Sequence, residues 1–178
     1  MNENMSTDLD KSKNPRIGII LGSDSDLPYM EKGIRTLQGF NLPFEIEVSS
    51  AHRTPHRTVE LVKDFEKKGI RVIIAAAGGA AHLPGVIASH TLLPVLGVPI
   101  TSALSGLDSL YSIVQMPGGI PVAAFSIGNS GGVNSVLFAI EILALQDEEL
   151  KEALVDYREK QKVGVLEKSK RLKEKFKS

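Results

Sequence analysis

Phe44-Glu45-Ile46-Glu47-Val48-Ser49-Ser50-Ala51-His52-Arg53-Thr54-Pro55 passes from strand to helix, and its reading settles the fold class. An extended segment, Phe44 to Val48, gives way to a helical pattern that starts near Pro55. A histidine, an arginine and two small hydroxyl residues are crowded onto the turn from Ser50 to Pro55. In parallel α/β proteins such a turn lies at the carboxyl end of the sheet, where ligands bind. Histidine exchanges protons near neutral pH, arginine clamps phosphate, and a helix start adds free backbone N–H groups. The stretch predicts a phosphorylated-substrate site with an acid/base at His52 and an anion grip at Arg53. A surface loop whose Thr54-Pro55 pair merely starts a helix is the alternative, and the position at a strand's carboxyl end favours function.

Working outward, the same alternation recurs. Arg16 to Leu21 is a short apolar run ending at Gly22, consistent with a buried parallel strand. Met30, Ile34 and Leu37 follow at helical spacing, and Gly39 closes that element. The second strand covers about 43–48, and the helix behind it ends at Gly69. Arg71 to Ala77 is a third strand, broken at Gly78-Gly79. A short helix is expected over 83–91, a strand over 94–97, a helix over 106–114 and a fifth strand over 121–126. Strands alternating with helices over such connections imply right-handed βαβ crossovers and a three-layer αβα sandwich around a central parallel sheet. Val133 to Leu145 leaves almost no polar face, so this helix is expected to be buried on all sides, its second wall another subunit. Asp147 then caps a further helix carrying Leu150, Leu154 and Tyr157.

The chain of 178 residues predicts one domain over 16–165, a disordered leader over 1–15 and a charged helix or tail over 166–178. Formal net charge is zero, with 21 basic and 21 acidic residues, so nothing draws the whole protein to nucleic acid. There is no cysteine, which excludes disulfides, thiolate metal sites and thiol nucleophiles. No secretory signal and no membrane-spanning run is visible, and a cytoplasmic protein is the expectation.

Two further turns carry candidate chemistry. In Gly22-Ser23-Asp24-Ser25-Asp26, hydroxyls and helix N–H groups suit phosphate oxygens, while an acidic residue suits ribose hydroxyls. Ordinary N-capping by Ser and Asp explains the same residues. In Gly78-Gly79-Ala80-Ala81-His82-Leu83-Pro84-Gly85, four small residues let backbone approach a flat ligand. They also leave successive N–H groups for carboxylate or phosphate oxygens. His82 either contacts substrate or supports the loop. His56 and His90 fall on expected helices and read as structural. The four histidines lack metal-ligand spacing, and no P-loop, dinucleotide fingerprint or nucleophile elbow is present, so neither metal nor cofactor is expected.

These three turns, with Asp108-Ser109-Leu110-Tyr111-Ser112-Ile113-Val114-Gln115-Met116-Pro117, stand in the order and spacing of the PurE family, which the chain resembles over about residues 16–165. The family resemblance implies a flavodoxin-like fold, an octamer, and N5-carboxyaminoimidazole ribonucleotide mutase activity in de novo purine biosynthesis. The Gly-Gly-Ala-Ala-His-Leu-Pro-Gly form of the third turn resembles the mutase branch rather than the branch that carboxylates aminoimidazole ribonucleotide directly with carbon dioxide. Two departures are visible: Val86 stands where methionine is common, and Ile100 to Leu104 is one residue short. The resemblance makes His52 the proton carrier and Ser23, Ser25, Asp26 and Arg53 the substrate-binding set. It lays Gly78 to Leu83, with Ala80 and His82, over the imidazole and its carboxylate, and gives Ser50 an added anion contact. The residues read alone leave a sugar-phosphate isomerase open, since its needs are the same phosphate grip and single base. A nucleotide-holding flavodoxin-like module without turnover is the non-enzymatic rival.

Overall fold

The apolar runs fold as strands and the amphipathic stretches as helices in the computed structural model, which describes residues 15–177. Of the leader expected over 1–15, all but Pro15 lies outside the described residues. Five strands lie among the described residues: β1 (Ile17–Leu21), β2 (Phe44–Val48), β3 (Val72–Gly78), β4 (Val95–Ile100) and β5 (Ala123–Ala124). They form one sheet in the order β2-β1-β3-β4-β5, and every pairing is parallel. β1 and β4 are buried along their whole length, as strands covered on both faces should be, whereas β2 on the edge is half exposed. This is the flavodoxin-like architecture, a three-layer sandwich with helices on both faces.

Helices α1 (Leu27–Gly39), α2 (Pro55–Lys67), α3 (Leu83–Ala88), α4 (Leu107–Val114), α5 (Asn129–Ala144) and α6 (Glu148–Lys175) complete the chain. Leu61, Val62 and Phe65 of α2, Leu83 and Ile87 of α3 and Ile113 of α4 pack with Ile20, Ile73, Ala75 and Val95 in one core. On the opposite face α1 meets the start of α5 almost backbone to backbone. A Cβ on Gly33 would lie 2.4 Å from the Gly132 carbonyl oxygen, and only glycine fits there. Phe65 is wholly buried, so Phe65→Ala should cost about 3–5 kcal/mol.

Several boundaries differ from the sequence reading. The fourth strand, expected over 94–97, runs on to Ile100 through Pro99, which pairs with Ala77. The Pro99 carbonyl accepts from the Gly128 N–H, so its missing donor falls on the side where β5 has already ended. The fifth strand is two residues rather than six. The helix expected over 83–91 stops at Ala88, leaving His90 in a turn. α5 begins at Asn129, four residues before Val133, and is not enclosed on all sides within the chain. Val136 and Ala139 are buried, but Phe138 is 42% exposed.

Contacts group the chain into two compact units, one through Ala139 and one from Ile140. In the second, Asp147 caps α6 by accepting the Leu150 N–H at 3.2 Å, and Leu150 and Leu154 are buried. Beyond Tyr157 almost every residue of α6 is exposed, the solvated helix its Lys and Glu content predicts. Among the described residues no helix is long and apolar enough to cross a membrane.

Candidate active site

The chain leaves β1 to form β2 on one side, then crosses to form β3 on the other. A crevice opens at the carboxyl ends of strands where the order reverses in this way. The turns after β1, β2 and β3 flank it, around a cavity of about 520 Å³. Ser23, Ser25 and Asp26 reach it from the first turn, Ser50, His52 and Arg53 from the second. Gly78, Ala80, His82 and Leu83 reach it from the third. The structure thus brings all the sequence-selected site residues to one cavity; His56 and His90 do not line it.

In the first turn, capping and a cavity-lining position coexist. Ser23 caps a single 3₁₀ turn, Asp24–Asp26, and its N–H donates back to Asp26 Oδ2 at 3.1 Å. The Ser25 hydroxyl donates to Ser23 Oγ at 2.9 Å. Asp26 is buried, which pushes its carboxyl above the ordinary value; the Ser23 N–H opposes this, the Asp24 charge adds to it, and the Gly22 N–H opposes it again. Such a carboxyl is held in place at a cost to the fold.

The second turn is braced from beneath. Ser49 Oγ lies 2.8 Å from Thr58 Oγ1 and 3.2 Å from Thr54 Oγ1, and the Thr54 N–H donates to the Ser50 carbonyl at 2.8 Å. Ser49 and Thr58 are buried, so this hydroxyl ladder fixes the turn and leaves His52 and Arg53 exposed above it. Arg53 touches Ser50 Oγ through its N–H and Nε, and among the described residues no carboxylate pairs with it. Arg57, one helical turn on, is by contrast bound to Glu47 at 2.8 Å. An arginine held by a neutral hydroxyl keeps its fork free for an anion.

The third turn depends on Gly79, whose φ of +66° favours glycine. Its N–H donates to the buried Ser109 Oγ at 2.9 Å. Downstream, His82 Nδ1 lies 2.9 Å from His52 Nε2, with the rings edge to face and centroids 5.0 Å apart. The two histidines, 30 residues apart, therefore share one hydrogen bond across the cavity rim. A single proton occupies that contact: one ring donates and the other accepts. The two sequence readings of His82 are not exclusive, since it lines the cavity and also locks the second turn to the third.

The stretch from Ile100, noted in the sequence for its shortness, supplies lining that the chosen site residues left out. Ile100 and Thr101 contribute the wall beyond β4. The signal lay in β4 itself: a strand drawn to its true end at Ile100 delivers both residues to the same rim.

A family model described as AIR carboxylase matches residues 16–163. The N5-carboxyaminoimidazole ribonucleotide mutase of Pyrococcus horikoshii is 58% identical over 165 residues, which cover 92% of each chain. The Escherichia coli protein of the same name is 52% identical over 153 residues, 85% of this chain and 90% of that one. The phosphoribosylaminoimidazole carboxylase of Candida albicans is 51% identical over 163 residues, 91% of this chain and 28% of that protein. The crystal structure of Treponema denticola PurE is similar with a TM-score of 0.80 at 28% identity, covering 89% of this chain and 99% of that one.

Proposed function

The chain belongs to the AIR carboxylase family, and from that premise we propose that it is an N5-carboxyaminoimidazole ribonucleotide mutase, an isomerase of purine biosynthesis. One observation carries the reading from family to chemistry: three turns from adjacent strands close on one cavity, with His52 at its rim. Arg53, backed by Ser50, grips the substrate's phosphate, and the Asp26 carboxyl and Ser23 hydroxyl take its ribose. The small residues of Gly78 to Leu83 admit the flat imidazole edge-on, with Ala80 and His82 beside the migrating carboxylate.

The reaction moves a carboxylate from the exocyclic nitrogen to ring carbon four. The N–C bond of the carbamate breaks, releasing carbon dioxide, and His52 gives a proton to the nitrogen. Carbon four then attacks the carbon dioxide, and its own proton returns to His52. Protons balance over the cycle, so one imidazole serves both steps. His82, hydrogen-bonded to Nε2, orients that ring and fixes where its proton sits. The carbon dioxide has to be held between steps, which an enclosed, dry pocket achieves. Phosphate and ribose contacts remote from the bond changes hold the ring in the reacting pose.

The decisive experiment is a spectrophotometric assay of purified protein with the carbamate ribonucleotide, with and without bicarbonate. Turnover independent of bicarbonate is expected. Activity on aminoimidazole ribonucleotide that rises with bicarbonate would instead favour the carboxylase reading. We also propose that the enzyme is cytoplasmic and works as a homo-oligomer, an octamer in the pattern of the family. Phe138 on α5 and Leu107, Tyr111 and Val114 along one side of α4 are exposed, apolar surface suited to a second copy.

A further inference from the structure

Gly78 pairs with Ile100 in the last rung between β3 and β4. Beyond that rung a side chain takes over from the ladder. Ser109, wholly buried in the first turn of α4, accepts the Gly79 N–H at 2.9 Å and donates to the Ile100 carbonyl at 2.7 Å. A hydroxyl has one proton, so donation to Ile100 turns a lone pair toward Gly79 and fixes the direction of the chain. Ser102 Oγ lies 3.1 Å from Ser109 Oγ, but its proton is committed to Asp108, whose carboxyl this bond holds below its ordinary value. Ser112 adds a longer contact to the Gly79 carbonyl at 3.4 Å. Asp108, Ser109 and Ser112 all come from the Asp108–Pro117 stretch, and none of them lines the cavity.

We propose that Ser109 is a positioning residue for the carboxylate transfer: it completes the β3–β4 ladder through its hydroxyl, sets the Gly79 turn, and so fixes where His82 meets His52. Two strands that kept pairing past Gly78 would stay 4.7–4.9 Å apart, about one ladder spacing. A serine between them lets them diverge while both backbone groups stay satisfied. Its removal leaves the Gly79 N–H and the Ile100 carbonyl to find each other or go unpaired, and either outcome moves the loop that carries His82. The inference rests on the mutase reading, so its first test requires no turnover.

A crystal structure of Ser109→Ala should show the His52 Nε2 to His82 Nδ1 separation opened past hydrogen-bond reach, about 3.5 Å. Retention of the 2.9 Å contact would overturn the proposal. Ser109→Cys, which fills the same space with a weak hydrogen-bonding group, gives the same readout where alanine destabilises the chain. Kinetically, Ser109→Ala should lower kcat about tenfold to a hundredfold, as a misplaced group does, with KM changed far less. In a His82→Asn background the same substitution should cost little further, because both act through one contact. Equal losses in both backgrounds would reduce Ser109 to fold support. Wild-type protein without turnover of the carbamate ribonucleotide would sink the mutase reading alone, and the crystallographic distance would still decide the role of Ser109.

Discussion

The turns after β1 and β2 draw on the same chemistry, hydroxyls beside charged groups at the start of a helix, and spend it in opposite ways. In the first, the charge is turned inward: Asp26 is buried and bonded to the Ser23 N–H, and its hydroxyl neighbours bond to one another. In the second, the buried hydroxyls of Ser49 and Thr58, joined by Thr54, brace the turn from beneath, and the charged and titratable groups are left outside. The first arrangement yields a fixed acceptor at the expense of carboxylate solvation. The second yields a rigid platform from which His52 and Arg53 project. One turn presents a fixed acceptor to the cavity, the other an exposed imidazole and guanidinium.

The largest expected effect tests the outward face of that contrast. His52→Asn should abolish measurable turnover, a loss of at least about 10²–10⁴-fold, while nucleotide binding by calorimetry stays near wild type. Near-normal activity would remove His52 from the mechanism. Arg53→Ala comes next, with KM raised by a factor corresponding to about 2–4 kcal/mol if the guanidinium meets a desolvated phosphate, and kcat changed little. An unaltered KM would argue against that contact.

The inward face of the second turn should answer in stability. Thr58→Val keeps the shape of a wholly buried side chain but removes the nearer of the two hydroxyl partners of Ser49 Oγ, leaving Thr54 Oγ1 at 3.2 Å. Chemical denaturation should show a loss of about 0.5–1.5 kcal/mol, the net contribution of one buried hydrogen bond. Activity per folded molecule should fall by a smaller factor than in either site variant.

The smallest effect, and the one that sharpens the comparison most, is at Asp26. Its folded-state carboxyl titrates above the ordinary 3.8, chiefly through burial. The native state therefore holds the proton more tightly than the unfolded chain. The stability this confers is fully present below 3.8 and is lost as pH rises through the folded value. Asp26→Asn retains an acceptor for the Ser23 N–H without the charge, so at pH 7 it should melt no lower than wild type. Melting curves collected toward pH 4 should show wild type gaining on the variant. A variant that melts well below wild type at pH 7 would mean that Asp26 stabilises the fold rather than serving the ligand.

Much of this was legible in the residues themselves. Strand-to-helix alternation gave the sandwich, and the turns at Ser23, Ser50 and Gly78, picked out as candidates before their spatial order was known, all line one cavity. What escaped depended on three-dimensional adjacency. Pro99 reads as a strand breaker, and only the early end of β5 makes it tolerable inside β4. The His52–His82 bond joins residues 30 apart, and nothing local encodes it; it follows from β1 sitting between β2 and β3. The buried hydroxyl of Ser109 sits mid-motif on an amphipathic helix, where a serine carries no sign of which backbone groups it serves.

The backbone contact between Gly33 and Gly132 has a consequence for how this molecule tolerates change. α1 begins at Leu27, immediately after Asp26, so the helix that lies against α5 with no slack is also the mount of the turn that carries Ser23 and Asp26 to the cavity. A single methyl at position 33 would wedge the two rods apart and tilt that mount. Such a lesion, remote from the cavity, would present in the laboratory as lost stability together with weakened binding.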